Sequence, residues 1–140
     1  VAAAKQAVLL GVQAVAFSQA LNGGEPDCEK QKPYITEVLR MLMQAQAPRL
    51  VNVNLPSDPR GIRWTRQSVR AYNGKVVEGQ DPMGRKHFWL AAVPLTEPEI
   101  DSDRWALDHD LVSLTPLRLN LTDEVWLEKI SERESALNEN

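Results

Sequence analysis

Apolar residues crowd the start of the chain. Val1–Leu10 holds only Lys5 and Gln6 as polar positions. That composition favours a helix and leaves it almost no polar face, so a buried helix is predicted. Gly11 is placed to end it. Val12–Phe17 (VQAVAF) then reads as a short buried strand. Helix, glycine and apolar strand form the αβ half of a βαβ unit and predict a parallel sheet. Ser18–Pro33 is rich in Gly, Pro and Asn and reads as a loop. Ile35, Val38, Leu39 and Leu42 recur at helical spacing and predict a helix over Tyr34–Gln46, with Pro33 at its start and Pro48 beyond its end. In Leu50–Leu55 the residues Val51, Val53 and Leu55 face one way and Asn52 and Asn54 the other, the pattern of a half-buried strand.

The pattern changes after the loop Pro56–Gly61. Ile62–Thr65 resumes strand character. Asn73-Gly74 stands between β-prone runs in Val69–Val77 and predicts a tight hairpin turn, because both residues tolerate positive φ. Asp81-Pro82-Met83-Gly84 predicts a second turn, followed by a strand over Lys86–Val93. Residues 62–93 therefore read as a β-meander. It is too polar to supply its own core, so it lies over the body or projects as an arm. Asp101 or Ser102 caps a short helix ending at Asp108, with Asp103 in the first turn. Val112–Leu114 is a strand, and Thr115–Leu121 alternates like another. Thr122 caps a last helix with Trp126, Ile130 and Leu137 as its apolar stripe.

The chain has 140 residues, 43% hydrophobic and 25% charged, which suits one globular domain. A net charge of −3 argues against a general nucleic-acid binder. The charge is unevenly spread: residues 60–86 carry +5 and residues 87–140 carry −8. Cys28 is the single cysteine, which excludes an internal disulfide and a Cys-based zinc site. No apolar run approaches the roughly 20 residues of a membrane helix, and no secretory signal pattern is present. A soluble, reducing compartment, the cytoplasm, is expected. The chain opens at Val1 inside a helical pattern, so it is expected to be the C-terminal part of something longer.

Candidate chemistry is sparse. Asp101, Asp103, Asp108, His109 and Asp110 are the densest ligand-type residues, but they lack the Gly and Glu spacing of a calcium loop. Asp101 and Asp103 are better read as helix-start residues. His87, beside Phe88 and Trp89, reads as a packing residue. Cys28, flanked by Asp27 and Glu29, is not placed to be a nucleophile. No catalytic residue and no metal ligand is assigned to this chain. Ser18 follows directly on the strand Val12–Phe17, and strand carboxyl ends line the ligand crevice of open α/β sheets. It either meets substrate or caps backbone. Asn52 and Asn54 either contact ligand, contact the rest of the protein, or make structural hydrogen bonds. Ser18, Asn52 and Asn54 are the substrate-proximal candidates. Trp64, Tyr72, Phe88 and Trp89 interleave with basic residues, a pattern that suits base stacking but that any meander also packs with. No specific nucleic-acid partner is assigned.

Five blocks occur in order: VAAAKQAVLLGVQAVAFSQ (Val1–Gln19), VNVNLP (Val51–Pro56), GIRWTRQ (Gly61–Gln67), DPMGRKHFWL (Asp81–Leu90) and VSLTPLRLNLT (Val112–Thr122). Asp103 stands ten residues before Ser113. By these blocks and that spacing the chain resembles the C-terminal part of the SurE family, the stationary-phase survival proteins. The wording WTRQSVRAYNGKVV and DPMGRKHFW is similar to the cyanobacterial branch. The resemblance implies the C-terminal part of a Rossmann-like, three-layer α/β fold with a β-meander or hairpin arm and a C-terminal helix. Within one incomplete domain, residues 1–61 would belong to the Rossmann-like core, 62–100 to the arm, and 101–140 to a return strand and the last helix.

The resemblance also implies a metal-dependent 5′/3′-nucleotidase that hydrolyses nucleoside monophosphates. Such hydrolysis needs a divalent cation to neutralise the phosphoryl oxygens and activate water. The family's two adjacent aspartates, its serine and asparagine ligands and its Ser-Gly-Thr phosphate turn, expected immediately before Val1, are not in this sequence. Magnesium or manganese would serve the full-length family and would not bind this chain alone, which is expected to be inactive. Asp110-Leu111 also stands where the family has Gly-Tyr. The alternative is a non-catalytic oligomerisation module whose basic hairpin and acidic tail meet across a subunit boundary. A homo-oligomer is expected, with no membrane partner.

Overall fold

The computed structural model describes residues 1–21, 23–44, 46–69, 72–94 and 97–138. The chain runs α1 (Ala2–Leu9), β1 (Ala14–Gln19), α2 (Cys28–Leu42), β2 (Leu50–Leu55), β3 (Gly61–Trp64), β4 (Tyr72–Gln80), β5 (Lys86–Pro94), α3 (Asp103–Asp108), β6 (Leu111–Pro116) and α4 (Glu124–Asn138). Four strands form one sheet in the order β1-β2-β6-β3. β1 and β2 are parallel, as the αβ unit predicts. β6 runs antiparallel to β2 and parallel to β3, so the sheet is mixed rather than wholly parallel.

The alternation of β2 decides the layers. Val51, Val53 and Leu55 join Val112 and Leu114 of β6 against Val38 and Leu42 of α2. On the opposite face Ala4 and Val8 of α1 pack with Leu50, Ala14 and Ala16. Helix, sheet and helix make the three layers of a Rossmann-like α/β fold. Only Ala4 and Val8 of α1 are buried, while Leu9 is 65% and Leu10 75% exposed. The expectation of a buried helix is corrected, because the sheet covers just one of its sides. Gly11 ends α1 as predicted: at φ 87° it lets its own N–H reach the Val8 carbonyl (3.0 Å) and that of Val12 reach Ala7 (2.9 Å). This paired closure is the Schellman motif.

Several boundaries differ from the sequence reading. β1 begins at Ala14 and extends through Ser18 and Gln19. α2 starts at Cys28, six residues before the predicted Tyr34. Asp27 caps it by accepting the Lys30 N–H at 3.1 Å, and Pro33 sits inside the helix rather than at its start. A proline there removes one hydrogen bond, and the buried face of Gln31, Val38 and Leu42 holds the helix together around it. The predicted strand over Thr115–Leu121 ends at Pro116. Asp123, not Thr122, caps α4, accepting the Trp126 N–H at 3.0 Å. The α4 side chains described from Glu124 to Ser131 are exposed, and the side chain of Leu137 lies outside the described set.

The meander is replaced by two separate structures. β3 belongs to the main sheet. Asn73-Gly74 is not a turn: both residues lie within β4, paired with Val93 and Ala92 of β5. Arg70 and Ala71, which the sequence reading included in this strand, lie outside the described residues. Among the described residues the turn that joins β4 to β5 is Asp81–Gly84. The Asp81 carboxylate accepts the N–H groups of Met83 and Arg85, each at 2.9 Å, and Gly84 adopts φ 78°. Residues Tyr72–Glu78 and Phe88–Ala92 are exposed, so the hairpin projects as an arm. No described helix is long and apolar enough to cross a membrane.

Candidate functional site

The α1 face of the sheet is apolar at one end and polar at the other. Alternation puts Ala14, Ala16 and Ser18 of β1 on this face, beside Leu50, Asn52 and Asn54 of β2. Register with β6 adds Thr115 beside Asn52 and Ser113 beside Asn54. The Asn54 amide donates to Ser113 Oγ at 3.3 Å. Thr115 Oγ1 lies 2.8 Å from Thr65 Oγ1. Ser113 is fully buried and Thr115 nearly so. A row of hydroxyls and amides, buried at Ser113 and Thr115 and opening to solvent at Ser18, stands at the carboxyl ends of two parallel strands, where open α/β sheets bind ligands.

A cleft of about 370 Å³ opens beside this row. Val1 and Lys5 of α1 line one side, Asn52 and Thr115 contribute from the sheet, and Gln67 and Asp103 line another. Val1 stands at the N-cap position of α1, so the first turn of this helix borders the cleft. The Asn52 and Gln67 amides and the Lys5 amine have no side-chain partner among the described residues.

The side of the cleft formed by residues 66–68 is anchored by the start of α3. Ser102 caps α3 by accepting the Trp105 N–H at 3.2 Å. Asp103 Oδ1 accepts the N–H groups of Ser68 (2.9 Å) and Arg104 (2.8 Å). The Asp103 N–H donates to the Arg66 carbonyl at 2.9 Å, and Arg66 N–H to the Asp101 carbonyl at 3.1 Å. Glu99 Oε2 accepts the Ser68 hydroxyl at 2.9 Å. Its own backbone N–H, then that hydroxyl, hold the Glu99 carboxyl below the usual carboxylate range.

Register brings Ser18 and Asn54 side by side on one face with Asn52, while Asn52 alone of the three lines the cleft. Asn54 makes the structural hydrogen bond that was one of its three readings, and Ser18 is exposed with no side-chain partner among the described residues. Thr65, in the GIRWTRQ block, and Ser113 and Thr115, in the VSLTPLRLNLT block, join this face, and the alternation of Val112-Ser113-Leu114-Thr115 carries the same two-residue period as Asn52 and Asn54. The acidic cluster is spent on structure. Asp101 pairs with Arg63, Asp110 with Arg60, and the His109 ring stacks on Trp105 with centroids 4.1 Å apart. Among the described residues no three His, Cys, Asp or Glu side chains are grouped to hold a metal ion.

A family model described as Survival protein SurE matches residues 1–74, more than half of the chain. The chain belongs to the SurE family. The 5′-nucleotidase SurE 1 of Thermus thermophilus is 36% identical over 134 residues, covering 94% of this chain and 53% of that protein. The 5′-nucleotidase SurE of Anaeromyxobacter is 38% identical over 133 residues, covering 91% of this chain and 52% of that protein. The crystal structure of the SurE protein from Aquifex aeolicus superposes with a TM-score of 0.73 at 30% identity, over 95% of this chain and 56% of that one. This SurE chain thus spans about half the length of the curated relatives it matches.

Proposed function

We propose that this chain supplies the substrate-binding side of a metal-dependent nucleotidase, which hydrolyses the phosphate ester of nucleoside monophosphates. The observation that carries the reading is the polar row Ser18, Asn52, Asn54, Ser113 and Thr115 at one end of the sheet face that α1 covers, with Asn52 and Thr115 lining the cleft. Free N–H groups at a helix start favour a phosphate, and neutral hydroxyls and amides orient it. Relatives over this stretch carry the name 5′-nucleotidase, which supports the same class. The family's divalent cation, magnesium or manganese, does not fit the described residues by themselves. They offer neutral oxygens and one carboxylate, Asp103, whose Oδ1 already accepts two N–H groups. In this reading the cation is held by residues other than the described ones, and no step is assigned here to the ion. An exposed, unpaired Cys28 suits the reducing cytoplasm.

The test is release of inorganic phosphate from adenosine 5′-monophosphate with Mg²⁺ or Mn²⁺. The intact protein that carries this chain is expected to release phosphate, and the 140-residue chain alone is not. Turnover by the chain alone contradicts the placement of the ligands, and no turnover by the intact protein overturns the activity. A second role is supported by the arm and α4. Phe88, Trp89, Leu90, Trp126 and Ile130 are all exposed, a set that a homo-oligomer would cover.

A further inference from the structure

We propose that the cleft between α1 and residues 66–68 holds the nucleoside portion of the substrate, with Gln67 contacting it and Asp103 positioning Gln67. The nucleoside class rests on the nucleotidase reading; the cleft and its chemistry do not. At about 370 Å³ the space falls within the range of small-molecule sites, about 300–1,000 Å³. Asn52 and Gln67 each bring one acceptor and one two-proton donor. That combination matches the mixed edges of a base and the hydroxyls of a ribose. Leu117 and Leu121 line the same cleft and offer an apolar wall to a ring face.

Gln67 is exposed at the cleft on a backbone fixed from both sides. Its neighbours are tied on both sides: Arg66 exchanges backbone bonds with Asp101 and Asp103, and Ser68 is held by the Asp103 and Glu99 carboxylates. Between these anchors the Gln67 amide has no partner among the described residues. A backbone held this firmly beneath a solvent-facing amide presents that amide to a ligand at little cost, because order fixed in advance is not lost on binding. Asp103 acts through Oδ1, which accepts both the Ser68 and Arg104 N–H groups.

The experiment uses the intact protein that carries this chain and two readouts: adenosine titration followed by NMR, and steady-state hydrolysis of adenosine 5′-monophosphate. Loss of one ligand hydrogen bond is worth about tenfold in affinity. Gln67→Ala is expected to weaken adenosine binding about tenfold and to raise KM by a similar factor, with a far smaller fall in kcat. Asp103→Ala should follow Gln67→Ala. Asp103→Asn keeps an Oδ1 acceptor and should restore binding towards that of the parent. Equal adenosine affinity in the parent and Gln67→Ala, or no adenosine binding by the parent, overturns the proposal even where hydrolysis persists. Adenosine binding without any hydrolysis overturns the nucleotidase reading and leaves the subsite standing. If Asp103→Ala fails to fold, the Gln67→Ala and Asp103→Asn results still decide.

Discussion

Asp110 stands at φ 57°, one position beyond the α3 C-cap, in the left-handed region that glycine fills without strain. The Asp110-Leu111 departure from the family's Gly-Tyr falls on this residue. Aspartate tolerates the region better than most residues, and its carboxylate pairs with Arg60 at 3.4 Å, an exposed contact worth about 0–1 kcal/mol. Asp110→Gly should therefore stabilise the chain by up to about 1 kcal/mol, whereas Asp110→Ala, with a Cβ and no pair, should cost about 1 kcal/mol. Urea unfolding with an unchanged slope measures both, and a lower midpoint for the glycine variant would contradict the strain argument. At this scale the Ser102 cap was legible, because a serine before an acidic first turn has few other uses. The anchoring role of Asp103 was not, since its partner Ser68 lies 35 positions away in the sequence and the two meet only in the fold.

The arm shows how one element can override a strong local signal. Asn73-Gly74 has the chemistry of a tight turn, yet Asp81 binds its own turn through three acceptor contacts, the last from Arg85 Nε at 2.7 Å. With that turn in place, Gly74 lies opposite Ala92, and a Cβ there would sit 3.4 Å from a Leu90 methyl. The backbone N–H and then the guanidinium of Arg85 hold the Asp81 carboxyl below its ordinary value. Such a carboxyl contributes fully above an ordinary pKa of about 3.9 and loses that contribution as pH falls through its lower folded-state value. The β4–β5 amide signals should therefore lose dispersion in acid before those of β2 and β6, beginning below about pH 4. Asp81→Asn should remove this early step. Simultaneous loss of arm and core signals would count against it. Strands β2 and β6 were legible because alternation sets their faces, whereas the start of α2 was hidden by Pro33 in what proved to be helix.

Across the whole molecule, the basic and acidic stretches meet within one chain. Arg60 pairs with Asp110 and Arg63 with Asp101, while Lys86 and Arg85 are neutralised inside the arm by Glu78 and Asp81. The charge expected to bridge subunits is thus partly spent internally, and the arm and α4 leave large apolar side chains exposed, among them Phe88, Trp89, Leu90, Trp126 and Ile130. Self-association through these elements should resist salt and fail on Trp89→Asp. Sedimentation at low and high ionic strength checks this, and a salt-driven shift to monomer would restore the electrostatic contact. The layered α/β architecture was readable from helix, glycine and strand in order. The reversed direction of β6 was not, because strand polarity depends on a connection that no local pattern encodes.

β1 has one neighbour, β2, among the described residues. The Ala14 and Ala20 amides donate to Arg49 and Leu55 of the β2 side, so those of Val15, Phe17 and Gln19 point the other way. In deuterated water the strand becomes a two-speed clock, its odd positions labelling fast and its even ones slowly. A further strand laid along that border would bring both to one pace, and isotope uptake at three residues would announce its arrival.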